Sequence, residues 1–320
     1  MKFLKNSCTK FKKIALYLLI SIFPADILKA MSKTIEPSNI KALAIDLDGT
    51  TLLPDTTLGE RTCNCLKKLI SKGMQIIIST GRAVEAAERY RSAIGAEGPM
   101  VFFNGAEVVD VPGGKILYAN LIGNDVIDYG IDIARDLGVH YQIYLPAGIS
   151  PDTGKNDPGI KHGALLIERK SPESQYYYEH TGITPLIRDL KKTAALPDLK
   201  GCIKGMYIAD SSLHDEIRKR MYERFGDSIN IMRSYPTFLE VLNKGVSKGE
   251  GLKIAMKHRG LKPEETIAFG DEENDLPMFS AAGFSAAPES ARENIRKAAD
   301  IIYGSNAEEG LAVFLEKNFL

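Results

Sequence analysis

Four carboxylates crowd into five positions of this chain, where Gly270 is followed by Asp271, Glu272, Glu273, Asn274 and Asp275. The run directly follows an apolar stretch, Thr266-Ile267-Ala268-Phe269. Acids at a helix start complement its dipole, and that alone is a sufficient reason for such a cluster. A cation or phosphate site is the alternative, and a second acidic pair favours it. Asp46-Leu47-Asp48-Gly49-Thr50 follows another apolar run, with two carboxylates two apart beside a glycine able to turn sharply. Read alone, that segment is equally an Asp-Gly turn. Together, two strand ends that present carboxylates on one sheet edge suit Mg²⁺, which takes few carboxylates, keeps several waters and shares phosphate oxygens.

Two further segments complete the set. Ser79-Thr80-Gly81-Arg82 puts a hydroxyl and a backbone N–H at the start of a predicted helix, where a phosphate oxygen is well received. By itself it also reads as an ordinary N-cap. Lys248, in Gly245-Val246-Ser247-Lys248-Gly249, stands at the start of another predicted helix, where its charge opposes the dipole.

The elements that must position these residues can be read from the hydrophobic pattern. Strand-like Lys41–Asp46 is followed by a helical period over Leu58–Lys72 with Gly73 as its stop, then strand Met74–Ser79, helix Ala83–Ile94 and strand Met100–Phe103. That alternation predicts an α/β fold with a doubly wound, Rossmann-like parallel sheet, whose carboxyl edge is where ligands sit. The C-terminal part repeats the alternation, with strands at Phe238–Leu242 and Thr266–Phe269 and helices at Ser247–Arg259 and Asn274–Ala281. Residues 112–232 differ. They open on Pro112-Gly113-Gly114, include a long loop from Pro146 to Lys161, and mix strands (Tyr141–Leu145, Lys204–Ala209, Ser228–Arg233) with helices (Asp125–Leu137, Leu213–Phe225). The expected organisation is an N-terminal extension over 1–38, a core of 39–111 plus 233–320, and an inserted α+β domain over 112–232.

DLDGT, STGR, the Lys248 segment and GDEEND, in this order, resemble the motifs of the haloacid dehalogenase-type phosphatases. The central insertion resembles the C2-type cap of their Cof-type subgroup, and the resemblance runs over residues 41–320. It implies Asp46 as the nucleophile that forms an aspartyl-phosphate, and Asp48 as general acid and then general base. It implies Mg²⁺ held by Asp46, the backbone carbonyl of Asp48 and Asp271. Thr80, the Gly81 N–H and Lys248 would hold the phosphoryl oxygens, Asn274 would reach another, and Leu47 would offer only its backbone N–H. Asp275 would orient the metal shell from behind. Glu272 and Glu273 stand where the family commonly carries glycine or another small or polar residue, and are expected to face solvent or cap the helix. Asn104, Tyr141, Tyr144 and His162 are candidate cap-side contacts, although packing inside the cap is the favoured expectation for the tyrosines. The implied activity is hydrolysis of small phosphorylated metabolites such as sugar phosphates. A phosphotransferase or phosphomutase, or a sensor that binds without turnover, are the alternatives.

Composition sets bounds around this reading. Lys plus Arg and Asp plus Glu are both 41, so the formal charge is zero and lacks the basic excess of a general nucleic-acid binder. Four scattered cysteines do not make a disulfide framework, and Cys63 and Cys65, two apart in a predicted helix, point to different faces. The expected partner is a small phosphorylated molecule, with no nucleic acid and no obligate membrane partner, for a monomer or weak homodimer. Residues 1–13 carry five lysines and no acid before an uncharged run, Ile14 to Phe23. That resembles a signal peptide, but the run is about half a membrane span. The expectation is a start at Met31 and a cytoplasmic protein, the alternative being export or tethering through residues 1–30.

Overall fold

The computed structural model describes residues 36–157, 159–160 and 162–320. The expectations for residues 1–30 therefore lie outside the described residues. The chain runs through β1 (Ala42–Ile45), α1 (Glu60–Ser71), β2 (Gln75–Ile78), α2 (Val84–Ile94), β3 (Gly98–Phe102), β4 (Glu107–Val111) and β5 (Lys115–Ala119). Next come α3 (Asn124–Leu137), β6 (His140–Tyr144), β7 (Leu165–Ile167), α4 (Pro172–Thr181), β8 (Leu186–Ile187), α5 (Leu190–Ala194), β9 (Lys204–Ile208), α6 (His214–Phe225), β10 (Ile229–Tyr235) and β11 (Phe238–Asn243). It closes with α7 (Lys248–Arg259), β12 (Thr266–Phe269), α8 (Leu276–Ala281), β13 (Phe284–Pro288), α9 (Glu293–Ala298), β14 (Ile301–Tyr303) and α10 (Gly310–Phe319).

A parallel sheet in the order β14-β13-β12-β1-β2 is the centre of the fold. Its central strands are buried along their whole length, as short apolar runs covered on both faces must be. A parallel bridge from Ser79 to Val101 joins β3 beside β2. The direction of winding therefore reverses around β1, the place where a doubly wound sheet opens a crevice. The antiparallel strands β4 and β5 extend β3, an addition the Pro112-Gly113-Gly114 turn had suggested as a boundary instead.

The second large sheet, mostly antiparallel, has the order β10-β11-β9-β6-β7-β8. One of its faces carries Tyr141, Ile143, Tyr207, Leu239 and Val241, which form a core with Val126, Ile131, Ile217 and Met221 of α3 and α6. The strand expected at Phe238–Leu242 does form, but it pairs with β9 and β10 in this sheet and not with the core sheet. The expected division at residue 232 thus falls inside β10 and parts it from β11. A short, mostly apolar segment such as this suits either sheet, and the pairing partner is not written in it. Among the described residues no helix is long and apolar enough to cross a membrane.

Candidate active site

Neighbouring strands deliver the site. Their register sets Ile45 level with Ile78 and with Phe269, so the chain leaves β1, β2 and β12 at one height. Asp46 N–H donates to the Phe269 carbonyl at 3.0 Å and Ser79 N–H to the Ile45 carbonyl at 2.9 Å, which continues the ladder into the loops. After β1 the chain folds back at once, with Leu52 N–H closing on the Leu47 carbonyl. Gly49 permits this: its φ is +76°, and a Cβ there would lie 2.1 Å from Asp271 Oδ2. The two acidic loops are therefore in direct contact, and Thr50 Oγ1 donates to Asp271 Oδ1 at 2.7 Å.

Lys248 sits between the two halves. Its side chain is 1% exposed, and Nζ donates to Asp46 Oδ1 and to Asp275 Oδ1, each at 2.7 Å. The local sequence explains how a lysine at a helix start becomes so buried. Cβ atoms on Gly249 and Gly251 would lie 2.3 Å from the Pro277 carbonyl oxygen and 2.4 Å from Val101 Cγ1, so only glycine lets α7 sink between β3 and α8. The opposed helix dipole is outweighed by two carboxylates at hydrogen-bond distance. Asp275 spends its other oxygen on the backbone N–H groups of Asp271 (2.9 Å) and Glu272 (3.1 Å), which shapes the acidic loop from behind.

The electrostatics follow from this burial. Desolvation raises Asp46 well above the ordinary carboxylate value, with Lys248 opposing and the Asp275 and Asp271 charges adding to the rise. Burial likewise pushes Asp271 up to about 7, against the bond it accepts from Thr50. Burial works against the Lys248 ammonium, yet the Asp275 and Asp46 carboxylates outweigh it and hold its pKa above the usual lysine value. One oxygen each from Asp46, Asp271 and Asp275 falls within 4.8 Å of the others. Three carboxyl groups beside one ammonium offer hard oxygen donors in a number that fits a small divalent cation.

The residues expected on the phosphate side gather at the same edge. Thr80 is fully buried, its hydroxyl accepts from Arg82 N–H at 3.2 Å, and its carbonyl accepts from Asn104 N–H at 3.0 Å. A Cβ on Gly81 would press on Asn104 Oδ1 at 3.0 Å. Asn274 Nδ2 donates to that same Oδ1 at 2.9 Å, while its own Oδ1 is buried without a partner among the described residues. Phe103 and Asn104 adopt φ of +50° and +58°, a conformation that favours glycine and concentrates at functional sites. Leu47 buries its side chain completely, which leaves only its backbone for a ligand.

Further contacts surround the cluster. Arg82 clamps Asp48 through two bonds of 2.7 and 2.6 Å, one to each carboxylate oxygen. Tyr141 packs on Tyr207, ring centres 4.6 Å apart and tilted by 46°, inside the α3/α6 core, the packing role that was the alternative for it. Residues 141 and 144 differ by an odd number, so a strand sends them to opposite faces, and Tyr144 alone meets the core at Phe103, 5.1 Å between rings. The loop after β6 lines a cavity of about 460 Å³ with Glu85, Asp152, His162 and Arg188, which places His162 beside the start of α2. Glu272 turns outward to Arg292 at 3.3 Å and takes no part in the cluster.

Comparisons with known proteins agree with this geometry. The family profile described as haloacid dehalogenase-like hydrolase matches residues 43–315. A Haemophilus influenzae protein named "Putative phosphatase" is 28% identical over 87% of this chain and 97% of its own length. The HMP-PP phosphatase of Cronobacter sakazakii is 28% identical over 75% of this chain and 80% of its own. The crystal structure of a haloacid dehalogenase-like hydrolase from Bacteroides thetaiotaomicron superposes with a TM-score of 0.76 at 24% identity, covering 88% of this chain and all of that one.

Proposed function

The chain belongs to the haloacid dehalogenase-like hydrolases, as a phosphatase of the Cof-type kind, and from that premise we propose that it is a Mg²⁺-dependent phosphomonoesterase acting on small phosphorylated metabolites. The observation that carries this reading is the buried Lys248 ammonium bridging Asp46 and Asp275 beside Asp271, at the edge where Thr80 and Asn274 also converge.

In this reading the Asp46 carboxylate attacks phosphorus, and the leaving alkoxide takes a proton from Asp48. The aspartyl-phosphate then yields to a water that Asp48 deprotonates, releasing phosphate and restoring Asp46. Asp46, Asp271 and the backbone carbonyl of Asp48 would hold Mg²⁺, which supplies positive charge against the phosphoryl oxygens. Thr80, the Gly81 N–H, Lys248 and Asn274 position those oxygens, and Asp275 fixes Lys248 and the acidic loop. Arg82 holds Asp48 until a ligand arrives. We assign the six-stranded sheet and its helices, between β5 and α7, to a cap that excludes water from the phosphorylated Asp46.

The test is hydrolysis of p-nitrophenyl phosphate by purified protein, with and without Mg²⁺. Metal-dependent turnover is expected, and Asp46→Asn should abolish it without unfolding the protein. Turnover that persists in Asp46→Asn would rule out the nucleophile assignment, and no metal-dependent turnover would rule out the proposal.

A further inference from the structure

The parallel strand β14 ends at the same carboxyl edge as the site, and its last residue is Tyr303. The side chain is buried, at 4% exposure. Its ring is well packed: the ring centre lies 5.8 Å from that of Phe269 and 6.0 Å from that of Phe314 in α10, and those two are 5.8 Å from each other. Its backbone carbonyl accepts the Glu289 N–H at 2.8 Å. The hydroxyl is the exception, because it is buried and has no partner among the described residues. A phenylalanine would fill the same triangle of rings. An unpartnered buried hydroxyl destabilises a fold, and a buried tyrosine normally finds a partner for its O–H.

The surroundings of that hydroxyl are the acidic loops. Phe269, on which the ring packs, is the last residue of β12 and leads through Gly270 into Asp271. Just after Tyr303, Asn306 Nδ2 donates to the Leu52 carbonyl at 2.9 Å, which ties this turn to the loop that carries Asp46 and Asp48. Burial, and then the charges of Asp271, Asp275 and Asp46 in falling order, hold the phenol above the ordinary tyrosine pKa. Tyr303 therefore keeps its proton and is a hydrogen-bond donor beside three carboxyl groups. Tyr141 makes a useful contrast. Its hydroxyl is also buried without a partner among the described residues, but it lies against Tyr207 in the α3/α6 core.

Resting on the metal site of the reading above, we propose that Tyr303 is a positioning residue for the cation, its hydroxyl donating to a water of the hydration shell that the ion keeps beside Asp271. Small divalent cations such as Mg²⁺ retain several waters when carboxylates bind them. Groups that hydrogen-bond the ligand shell from outside hold it in place and set the affinity of the site. This bond forms only with the cation present. The hydroxyl therefore weakens the metal-free fold slightly and stabilises the loaded one, an exchange that a phenylalanine cannot make.

The experiment measures Mg²⁺ binding by isothermal titration calorimetry to the whole protein, first stripped with EDTA and dialysed, for wild type, Tyr303→Phe and Tyr141→Phe. Circular dichroism melts of the same three proteins are recorded in EDTA and at one fixed Mg²⁺ concentration. The Mg²⁺ Kd of Tyr303→Phe should rise at least about tenfold, the loss typical of a missing partner outside the ligand set. That of Tyr141→Phe should match wild type. In EDTA, Tyr303→Phe should melt at or above the wild-type temperature, and its rise on adding Mg²⁺ should be the smaller of the two. A smaller change of Kd in Tyr303→Phe, or an equal one in Tyr141→Phe, would overturn the proposal. So would a Tyr303→Phe protein that melts below wild type in EDTA, since the hydroxyl would then have a partner in the metal-free fold. Mg²⁺ binding that weakens as expected, in a protein that does not hydrolyse p-nitrophenyl phosphate, would remove the phosphatase reading and leave Tyr303 at its metal site. A wild type that binds no Mg²⁺ would overturn both.

Discussion

Glu107 offers a stability test whose size can be worked from the structure. It is fully buried on β4, with Oε1 accepting the Ala147 N–H at 3.1 Å and Oε2 unpartnered among the described residues. Burial raises its pKa from 4.5 to about 7, against the bond from Ala147. A carboxyl whose pKa is raised on folding favours the native state fully below its unfolded value and loses that contribution as pH climbs through the folded value. The window is therefore 4.5 to about 7. A rise of about 2.5 units is worth about 3 kcal/mol. Glu107→Gln keeps the shape and the acceptor for Ala147 but cannot ionise. Its melting temperature should match wild type near pH 4.5 and exceed it by roughly 5–10 °C at pH 8. Circular dichroism melts of both proteins across that range, in one buffer series with EDTA, measure the divergence. Parallel curves from pH 4.5 to 8, or a variant less stable than wild type at pH 8, would refute the reasoning. Because Glu107 joins β4 to the loop after β6, the same series reports on the strength of that junction.

Three other substitutions have defined outcomes. Lys248→Met leaves Asp46 and Asp275 buried without their counter-charge, so stability should fall by about 3–5 kcal/mol in urea titration, and phosphatase turnover should fall about 10²–10³-fold, the loss of one oxyanion partner. Gly49→Ala places a methyl against Asp271 and forces a left-handed alanine, so p-nitrophenyl phosphate turnover should drop by at least tenfold, with a unit or more of kcal/mol in stability. Tyr141→Phe removes a buried hydroxyl without a partner among the described residues, and should leave kcat/KM unchanged while raising stability by about 1 kcal/mol. A destabilised Tyr141→Phe protein would show that the hydroxyl is satisfied after all.

The sequence alone determined the elements that depend on near neighbours. The apolar runs 42–45, 75–78 and 266–269 had to be buried strands, and Gly49 beside Asp48 had to turn. Four motifs in order named Asp46, Asp48, Thr80, Lys248 and Asp271, and the fold brings them to one sheet edge. Tertiary structure decided what depends on pairing across distance. It placed residues 238–243 in the second sheet, between β9 and β10, because a short apolar strand does not specify its own partners. It sent Tyr141 inward and Tyr144 toward the core, since parity within a strand is local but the identity of each face is not. It joined Arg82 to Asp48 across 34 positions of sequence, and Lys204 to Glu240 across 36. Charges so far apart in the chain acquire a common, low-dielectric environment only when the sheets assemble around them, and no local pattern of residues encodes that meeting.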